Sequence, residues 1–225
     1  MKGQFVTKTE NPRALEEMGG HSDARLSSPS SARNKGPLLE ALSAVLPISA
    51  HVLEIASGTG EHAVHLCTAM PGLSWQPTDI AEEALASIEA WRRATGLENM
   101  AAPISLDVTE QAWWERIEPN PSIILSCNMI HIAPWEAGLG AIAGAGALLP
   151  SAGMLIFYGP FSKGGIHNAP SNEAFDASLK SRDPSWGVRD IDDISAAAAD
   201  AVLDFEMEIP MPADNRVLIY RKVDN

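Results

Sequence analysis

The sequence predicts an α/β fold in which helices cover both faces of a doubly wound, mostly parallel sheet that ends in an antiparallel hairpin. Strand-like and helix-like runs alternate between residues 50 and 159, as in proteins with right-handed crossovers. Residues 122–128 form a continuous apolar run, which is typical of a strand buried on both faces. The last two strand-like runs are joined only by residues 210–214, which permits an antiparallel pair but no crossover helix.

Each element follows from local patterning and from helix or strand breakers. Leucines at helical spacing predict a first helix over 37–46. The strands predicted after it span residues 50–55, 73–78, 103–106, 122–128 and 153–159. The helices predicted between them span 60–70, 81–95, a short helix or turn at 110–117, and 135–149. A last helix is predicted over 191–201, capped by Asp192 or Asp193, before the closing strands 202–209 and 215–222.

The domain organisation follows from where this alternation begins and where it breaks. Residues 1–31 are rich in Ser, Pro, Gly and charge and lack a periodic apolar face, so we expect a poorly ordered N-terminal extension. Residues 32–225 are expected to form one domain, because a chain of this length can bury a sizeable single core. At about 160–190 the alternation breaks, and we expect an insertion that shapes a ligand site at the carboxyl edge of the sheet.

Composition limits the classes of partner. A formal net charge of -13 opposes binding to nucleic acid, because that affinity comes largely from Lys and Arg neutralising phosphates. No run approaches the roughly 18 apolar residues of a membrane span. Cys67 and Cys127 lack the spacing of a metal site, so we expect no metal and two buried thiols in a reducing cytoplasm. These observations predict a cytoplasmic protein that acts on a small molecule; its oligomeric state is left open.

A glycine turn after the first predicted strand indicates a Rossmann-like cofactor loop. Gly58 and Gly60 leave no Cβ between the backbone amides and a ligand, and Gly58-x-Gly60-x-x-Ala63 matches the dinucleotide fingerprint. Asp79 lies 21 residues after Gly58, at the end of the second strand, where a carboxylate can bind ribose hydroxyls. This pattern leaves both a nicotinamide dinucleotide and S-adenosylmethionine open as the cofactor.

Acidic residues around the loop favour S-adenosylmethionine. Glu54 lies in the first strand, where its charge would repel a phosphate but would attract the sulfonium and ammonium of the methyl donor. Asp107 follows the third strand, in a position to accept a hydrogen bond from an adenine amine. The closing hairpin is a further feature of methyltransferase sheets.

Together these features resemble a class I S-adenosylmethionine-dependent methyltransferase with a seven-strand sheet, over about residues 33–222. The residues that carry the resemblance are Glu54-x-Ala56-x-Gly58-Thr59-Gly60, Asp79, Asp107 and the terminal hairpin. Ala56 departs from the glycine that many methyltransferases have there. A narrower resemblance, to the methyltransferase-like protein 26 family of unsettled substrate, has its own set of motifs. They are Arg33-Asn34-x-x-Pro37, Glu54 to His62, Asn128-Met129-Ile130-His131-Ile132, Ser171-Asn172-x-x-Phe175-Asp176 and Arg182-Asp183-Pro184-x-Trp186-Gly187-x-Arg189-Asp190.

The resemblance implies a set of cofactor-binding residues. They are Arg33, Asn34, Glu54, Ser57, Gly58, Thr59, Gly60, Asp79, Ile80, Asp107, Val108 and Asn128. Within this set Asp79 is expected on the ribose hydroxyls and Asp107 on the adenine amine, although Asp79 also suits a helix cap and Asp107 a turn. Arg33 and Asn34 are expected either to reach the cofactor carboxylate or to close over it, or to form an exposed cap. Glu54 is expected in the pocket, with a buried ion pair as the alternative.

The resemblance also implies candidates for catalysis and for the substrate wall. Asn128 and His131 follow the most apolar strand, and a neutral His131 has the chemistry of a general base, although a lone histidine also suits a structural role. The expected substrate wall consists of His131, His167, Asn172, Trp186 and Arg189. The predicted function is methyl transfer to a small molecule. An NAD(P)-dependent oxidoreductase and a non-catalytic S-adenosylmethionine-binding regulatory module remain alternatives.

Overall fold

A seven-stranded sheet organises the chain in the computed structural model, which describes residues 19–20 and 23–224. Its strands are β1 (Ala50–Ile55), β2 (Leu73–Asp79), β3 (Ile104–Ser105), β4 (Ile123–Cys127), β5 (Met154–Gly159), β6 (Leu203–Pro210) and β7 (Arg216–Lys222). They lie in the order β6-β7-β5-β4-β1-β2-β3. The first five strands run parallel, and β7 is antiparallel to both β5 and β6. The predicted fold class is confirmed.

Six helices in the described residues accompany the sheet. They are α1 (Pro29–Val45), α2 (Glu61–Ala69), α3 (Glu82–Thr95), α4 (Trp135–Leu148), α5 (Pro170–Arg182) and α6 (Ile191–Asp200). The predicted short helix at 110–117 is a 3-10 turn over Trp113–Arg116. None of the helices in the described parts of the chain combines the length and the apolar character needed to cross a membrane.

The first helix starts earlier than predicted. It begins at Pro29, whose missing N–H and fixed φ suit a first helical turn, and it continues through Pro37. The sequence interpretation took Pro37 as the start, because a proline inside a helix removes a hydrogen bond. Most of the N-terminal segment expected to be poorly ordered lies outside the described residues, but Leu26–Ser27 pairs with Gly19–Gly20 in a small antiparallel ladder.

Alternating side chains of the parallel strands fill one core on each face of the sheet. Leu53 and Ile55 pack with apolar residues of α4 and α6, whereas Val52 packs on the opposite face with α1, α2 and α3. Gly144 lets α4 lie directly on Trp113, because a Cβ there would overlap the indole ring. Since both faces are covered, the carboxyl ends of β1, β2 and β4 present the loops available to a ligand.

The insertion predicted at about 160–190 contains a small sheet and α5. Phe161–Lys163 pairs in parallel with Arg189–Asp190 and antiparallel with Ile166–His167. The predicted cap of α6 is corrected, because the side chain of Asp190, and not that of Asp192 or Asp193, accepts a hydrogen bond at the helix start. The same carboxylate also accepts from the backbone N–H groups of two adjacent glycines. It therefore joins the insertion to α6.

Candidate functional site

The glycine loop leaves β1 through a series of left-handed residues. Ala56, Gly58 and Gly60 have φ values of 57°, 65° and 88°. A Cβ on Gly60 would lie 3.1 Å from the Cα of Ile88 in α3, so this glycine allows the loop to pack closely on that helix. A Cβ on Gly58 would find nothing within 4 Å. The loop is thus packed at Gly60 and open at Gly58, as a close approach by a ligand requires.

Asp79 fastens this loop to the end of β2. Its side chain is buried, with 2% of its surface exposed. Oδ2 accepts a hydrogen bond from the Gly58 N–H at 3.1 Å, and Oδ1 accepts from the Ala81 N–H at 3.0 Å, just before α3. Asp79 therefore lies at the entry of α3, but it is not the helix cap considered from sequence, because the N-cap residue is Ala81 and has no side-chain cap. A carboxylate has about four acceptor sites, so it can accept from more than two donors at once.

A second acidic residue lies at the adjacent strand end. The Leu106 N–H donates to the backbone oxygen of Asp79 at 3.1 Å, which places the turn after β3 beside β2. Asp107 Oδ1 accepts from the N–H and the hydroxyl of Thr109, at 2.8 and 2.6 Å, so the turn considered from sequence is present. Ile80 is 61% exposed between the two acidic positions. This edge offers two carboxylates and an apolar surface, the groups that bind a nucleoside.

Glu54 lies under the glycine loop within the sheet. Only 1% of its surface is exposed, and Oε2 accepts a hydrogen bond from the Trp75 indole at 3.0 Å. Oε1 is buried without a hydrogen-bond partner among the described residues. Burial raises the pKa of Glu54 above its ordinary value, while hydrogen bonds from the side chains of Trp75 and Ser57 act in the opposite direction. Among the described residues, the hydrogen-bond partners of this carboxyl are therefore the uncharged side chains of Trp75 and Ser57, and not the ion pair considered from sequence.

Two buried side chains that sequence reasoning missed join α1 to the site. Asn34 Oδ1 lies 2.7 Å from His62 Nε2, and the Asn34 side chain also hydrogen-bonds the Tyr158 hydroxyl. Burial, with smaller contributions from the charges of nearby His65 and Lys35, lowers the pKa of His62 to about 4, and burial raises the pKa of Tyr158 to about 12. Both are therefore neutral at neutral pH. The position of His62 just after the glycine loop was the one available signal.

Glu61 anchors the start of α1 over the loop. Its Oε2 accepts from the Ser28 N–H at 2.7 Å and from the Thr59 hydroxyl at 3.3 Å. The backbone oxygen of Thr59 in turn accepts a hydrogen bond from the Ser87 hydroxyl of α3 at 2.7 Å. Ser57 is also buried, and its hydroxyl accepts from the Thr78 N–H. The exposed Arg33 and the half-buried Asn34 are therefore carried next to the loop.

His131 has no access to a substrate in this arrangement. It is fully buried, with its ring edge-on to Phe161 and with Nδ1 accepting from the Arg189 N–H at 3.4 Å. Burial, followed by the charge of Arg189, lowers its pKa to about 3. Asn128 has a left-handed backbone and donates its N–H to the Tyr158 carbonyl at 2.8 Å. The structure therefore supports the structural interpretation of His131 rather than a general base.

The remaining residues of the expected substrate wall contact other parts of the protein. Asn172 donates to the Asp214 carbonyl, and Arg189 donates to three backbone carbonyls and lies over Trp135. His167 Nε2 lies 3.6 Å from a carboxylate oxygen of α5, and Trp186 is half-buried. Asn172 and Arg189 thus hold loops together. The structure brings Gly58, Asp79 and the turn of Asp107 to one edge, and among the expected wall residues it joins the buried His131 to Arg189.

One protein-family model matches most of the chain. A family model described as "Protein of unknown function (DUF938)" matches residues 25–222. The chain belongs to this family. The match includes the glycine loop, both strand-end carboxylates and the closing strands. The narrower resemblance to the methyltransferase-like protein 26 family stays a prediction.

Solved methyltransferase structures share the fold. An O-methyltransferase family protein from Burkholderia thailandensis is 16% identical, with a TM-score of 0.72, and the match covers 87% of this chain and 58% of that one. The mitomycin 7-O-methyltransferase MmcR is 16% identical, with a TM-score of 0.72 and coverages of 86% and 54%. CalO1, a methyltransferase in calicheamicin biosynthesis solved in an SAH-bound form, is 14% identical, with a TM-score of 0.70 and coverages of 86% and 54%. This chain thus spans little more than half the length of these proteins.

Proposed function

We propose that this protein is an S-adenosylmethionine-dependent methyltransferase that acts on a small molecule. The observation that carries the proposal is the bridge made by Asp79, which holds the open glycine of the loop and the entry of α3 beside Asp107. This bridge lies at the carboxyl edge of a sheet with the methyltransferase strand order. The SAH-bound form of the structurally similar CalO1 supports the same cofactor.

The residues present fit the cofactor. The Asp79 carboxylate is of the type that accepts hydrogen bonds from ribose hydroxyls, and the exposed Ile80 beside Asp107 offers an apolar and an accepting group to an adenine. Arg33, exposed on α1 near the loop, carries the charge needed for the carboxylate of the amino-acid end. Glu54, with 1% of its surface exposed below the loop, makes no direct contact with a ligand in this arrangement. When bound, the cofactor supplies an activated methyl group on a sulfonium.

The chain contributes alignment rather than a general base. His131 was the sequence candidate for a base, but its ring is buried and its pKa is low. Methyl transfer to a nucleophile already in its reactive form depends mainly on proximity and orientation, which are worth about 7 to 11 kcal/mol. Asn128 remains the candidate for contact with the acceptor, because it is half-buried at the end of β4.

A small acceptor is supported by charge and by analogy. The net charge of -13 opposes a nucleic-acid substrate. MmcR is named for methylation of mitomycin, a small molecule, and CalO1 for calicheamicin biosynthesis. We extend that substrate class to this chain and leave the acceptor's identity to experiment.

Thermal denaturation with S-adenosylhomocysteine tests the cofactor. At one hundred times its dissociation constant a ligand stabilises a protein by about 2.7 kcal/mol, which raises the Tm of a chain of this size by about 5 to 10 °C. We expect that shift with S-adenosylhomocysteine and none with NADH. A response to NADH alone would replace the proposal with the oxidoreductase alternative.

Two glycines offer a matched pair for locating the ligand. Gly58 and Gly96 have φ values of 65° and 64°, and a Cβ added at either position would meet no atom within 4 Å, but Gly96 ends α3 away from the loop. Gly58→Ala and Gly96→Ala should each cost about 1 to 2 kcal/mol of stability. Only Gly58→Ala should weaken S-adenosylhomocysteine binding, by at least about tenfold. Equal affinities for both variants would exclude the ligand from the glycine loop.

Catalysis needs its own measurement. Incubation with S-adenosylmethionine and a pool of small-molecule acceptors should release S-adenosylhomocysteine in an acceptor-dependent manner. Binding of S-adenosylhomocysteine without turnover on any acceptor would favour the regulatory module.

A further inference from the structure

Three potential metal ligands meet beneath the glycine loop. Glu54 belongs to β1, His62 to α2 and Cys127 to the end of β4. One ligand atom from each, a carboxylate oxygen, a ring nitrogen and the sulfur, lie within 4.8 Å of one another. Glu54 and His62 are buried and Cys127 is half-buried. Cys127 lies 65 residues after His62 in the chain, so the cluster has none of the short cysteine spacings by which metal sites are recognised.

The carboxyl group in this cluster is incompletely satisfied. Oε2 of Glu54 is occupied by the Trp75 indole, but Oε1 is buried and has no hydrogen-bond partner among the described residues. A buried polar atom without a partner costs about 1 to 3 kcal/mol, and native structures contain few of them. The position of this carboxyl group next to a histidine and a cysteine indicates a missing group that binds all three.

We propose that Glu54, His62 and Cys127 bind one divalent cation of the zinc class. Carboxylate, imidazole and thiolate are the ligand types of zinc, at about 2.0 to 2.3 Å from the metal. Tetrahedral ligands at those lengths are roughly 3.4 to 3.6 Å apart, so ligand atoms that lie within 4.8 Å of one another need to close by no more than about 1.4 Å. One carboxylate, one thiolate and a neutral imidazole balance a double positive charge, which leaves the buried site neutral.

The surroundings orient two of the three ligands. Asn34 Oδ1 contacts His62 Nε2 at 2.7 Å, and Trp75 Nε1 holds the second oxygen of Glu54 at 3.0 Å. Such neighbours fix the rings and carboxylates of metal ligands, and their loss commonly weakens binding by about 10- to 100-fold. A bound ion would join β1, α2 and β4 directly under the proposed cofactor loop.

Cobalt(II) titration of the whole chain, stripped with a chelator, tests the site. Cobalt binds zinc sites, and its bond to a thiolate gives a charge-transfer absorption in the near ultraviolet. We expect that band to saturate at one equivalent and to disappear when zinc is added. A bridging water in place of the metal predicts no band and no stoichiometric uptake, and that result overturns the proposal.

The second cysteine provides the matched control. Cys67 is also a buried free thiol but does not belong to the cluster. Cys127→Ala should abolish the band, Glu54→Gln should weaken cobalt binding by more than about tenfold, and Cys67→Ala should leave both unchanged. Loss of the band in Cys67→Ala with its retention in Cys127→Ala would refute the assignment.

The metal site does not rest on methyltransferase activity. Cys127→Ala should still give a Tm shift with S-adenosylhomocysteine, which also shows that this variant is folded. A cobalt band without any response to S-adenosylhomocysteine would support the metal site and count against the proposed function. A response to S-adenosylhomocysteine without a cobalt band would support the proposed function and count against the metal site.

Discussion

Replacing Asp79 by alanine should destabilise the protein as well as remove the proposed cofactor contact. The carboxylate accepts hydrogen bonds from two backbone N–H groups, those of Gly58 and Ala81, at 3.1 and 3.0 Å. The aspartate is 2% exposed, so water reaches the site poorly. Asp79→Ala therefore leaves two donors without an acceptor at the point where the glycine loop meets α3.

The magnitude follows from the number of bonds lost. A hydrogen bond to a charged group contributes about 1.5 to 3 kcal/mol, so two lost bonds correspond to about 3 to 6 kcal/mol. The lower half of that range applies, because both N–H groups lie at partly buried positions. A loss of about 3 to 4 kcal/mol lowers the Tm by roughly 6 to 16 °C for a chain of this size. Domains typically have about 5 to 15 kcal/mol in total, so the variant should still fold.

Urea denaturation followed by circular dichroism measures this loss directly. Asp107→Ala is the matched control, because the Asp107 side chain is only half-buried and its hydrogen bonds to Thr109 stay within its own turn. We expect Asp107→Ala to lose less than about half of what Asp79→Ala loses. Asp79→Asn keeps one acceptor and should fall between wild type and alanine. An Asp79→Ala midpoint equal to that of wild type would refute the bridging role.

Two further predictions concern backbone strain and buried histidines. Ala56 has a φ of 57°, so Ala56→Gly should raise the free energy of unfolding by about 0.5 to 1 kcal/mol, whereas Ala32→Gly within α1 should lower it by about 1 kcal/mol. Urea denaturation of both variants measures these opposite changes. A lower free energy of unfolding in Ala56→Gly would contradict backbone strain at this position. Folding lowers the pKa of His131 and His62 from 6.5 to about 3 and about 4, so the stability that their neutral forms contribute is complete above pH 6.5 and is lost as the pH falls. Glu54, whose pKa is raised by burial, changes stability in the opposite direction as the pH falls, so the measurement uses chelator-treated Glu54→Gln protein. At pH 5 the two histidines together should lower the free energy of unfolding of this variant by about 4 kcal/mol relative to pH 7. Urea denaturation at both pH values measures the difference, and equal midpoints would contradict the burial of both rings.

The strands and the cofactor loop were predictable because their signals are local. The apolar run of β4 and the short 210–214 connection contain the information for a parallel sheet with an antiparallel end. Asp79 was found because a polar residue directly after a strand lies at the edge where parallel sheets bind ligands. These inferences need no knowledge of which distant residues meet.

The substrate wall could not be predicted, because burial is decided by tertiary contacts. His131 is a candidate base until Phe161 and Arg189, distant in sequence, are seen to enclose it. Arg189 has the charge to bind an anionic ligand, yet it donates to backbone carbonyls. The type of a residue determines what chemistry it can perform, whereas its access to a ligand depends on the fold.

Glu54 favours a nearby cation both from sequence and in the structure, but for different reasons. From sequence, its negative charge was the reason to prefer a cationic cofactor over a phosphate. In the structure, burial raises its pKa, while hydrogen bonds from Trp75 and Ser57 lower it. Both the sulfonium cofactor and a divalent ion would stabilise the ionised form, because opposite charges attract strongly in a poorly hydrated site. The preference for a cation therefore rests on one incompletely satisfied carboxyl group under the loop, rather than on the acidic composition of the chain.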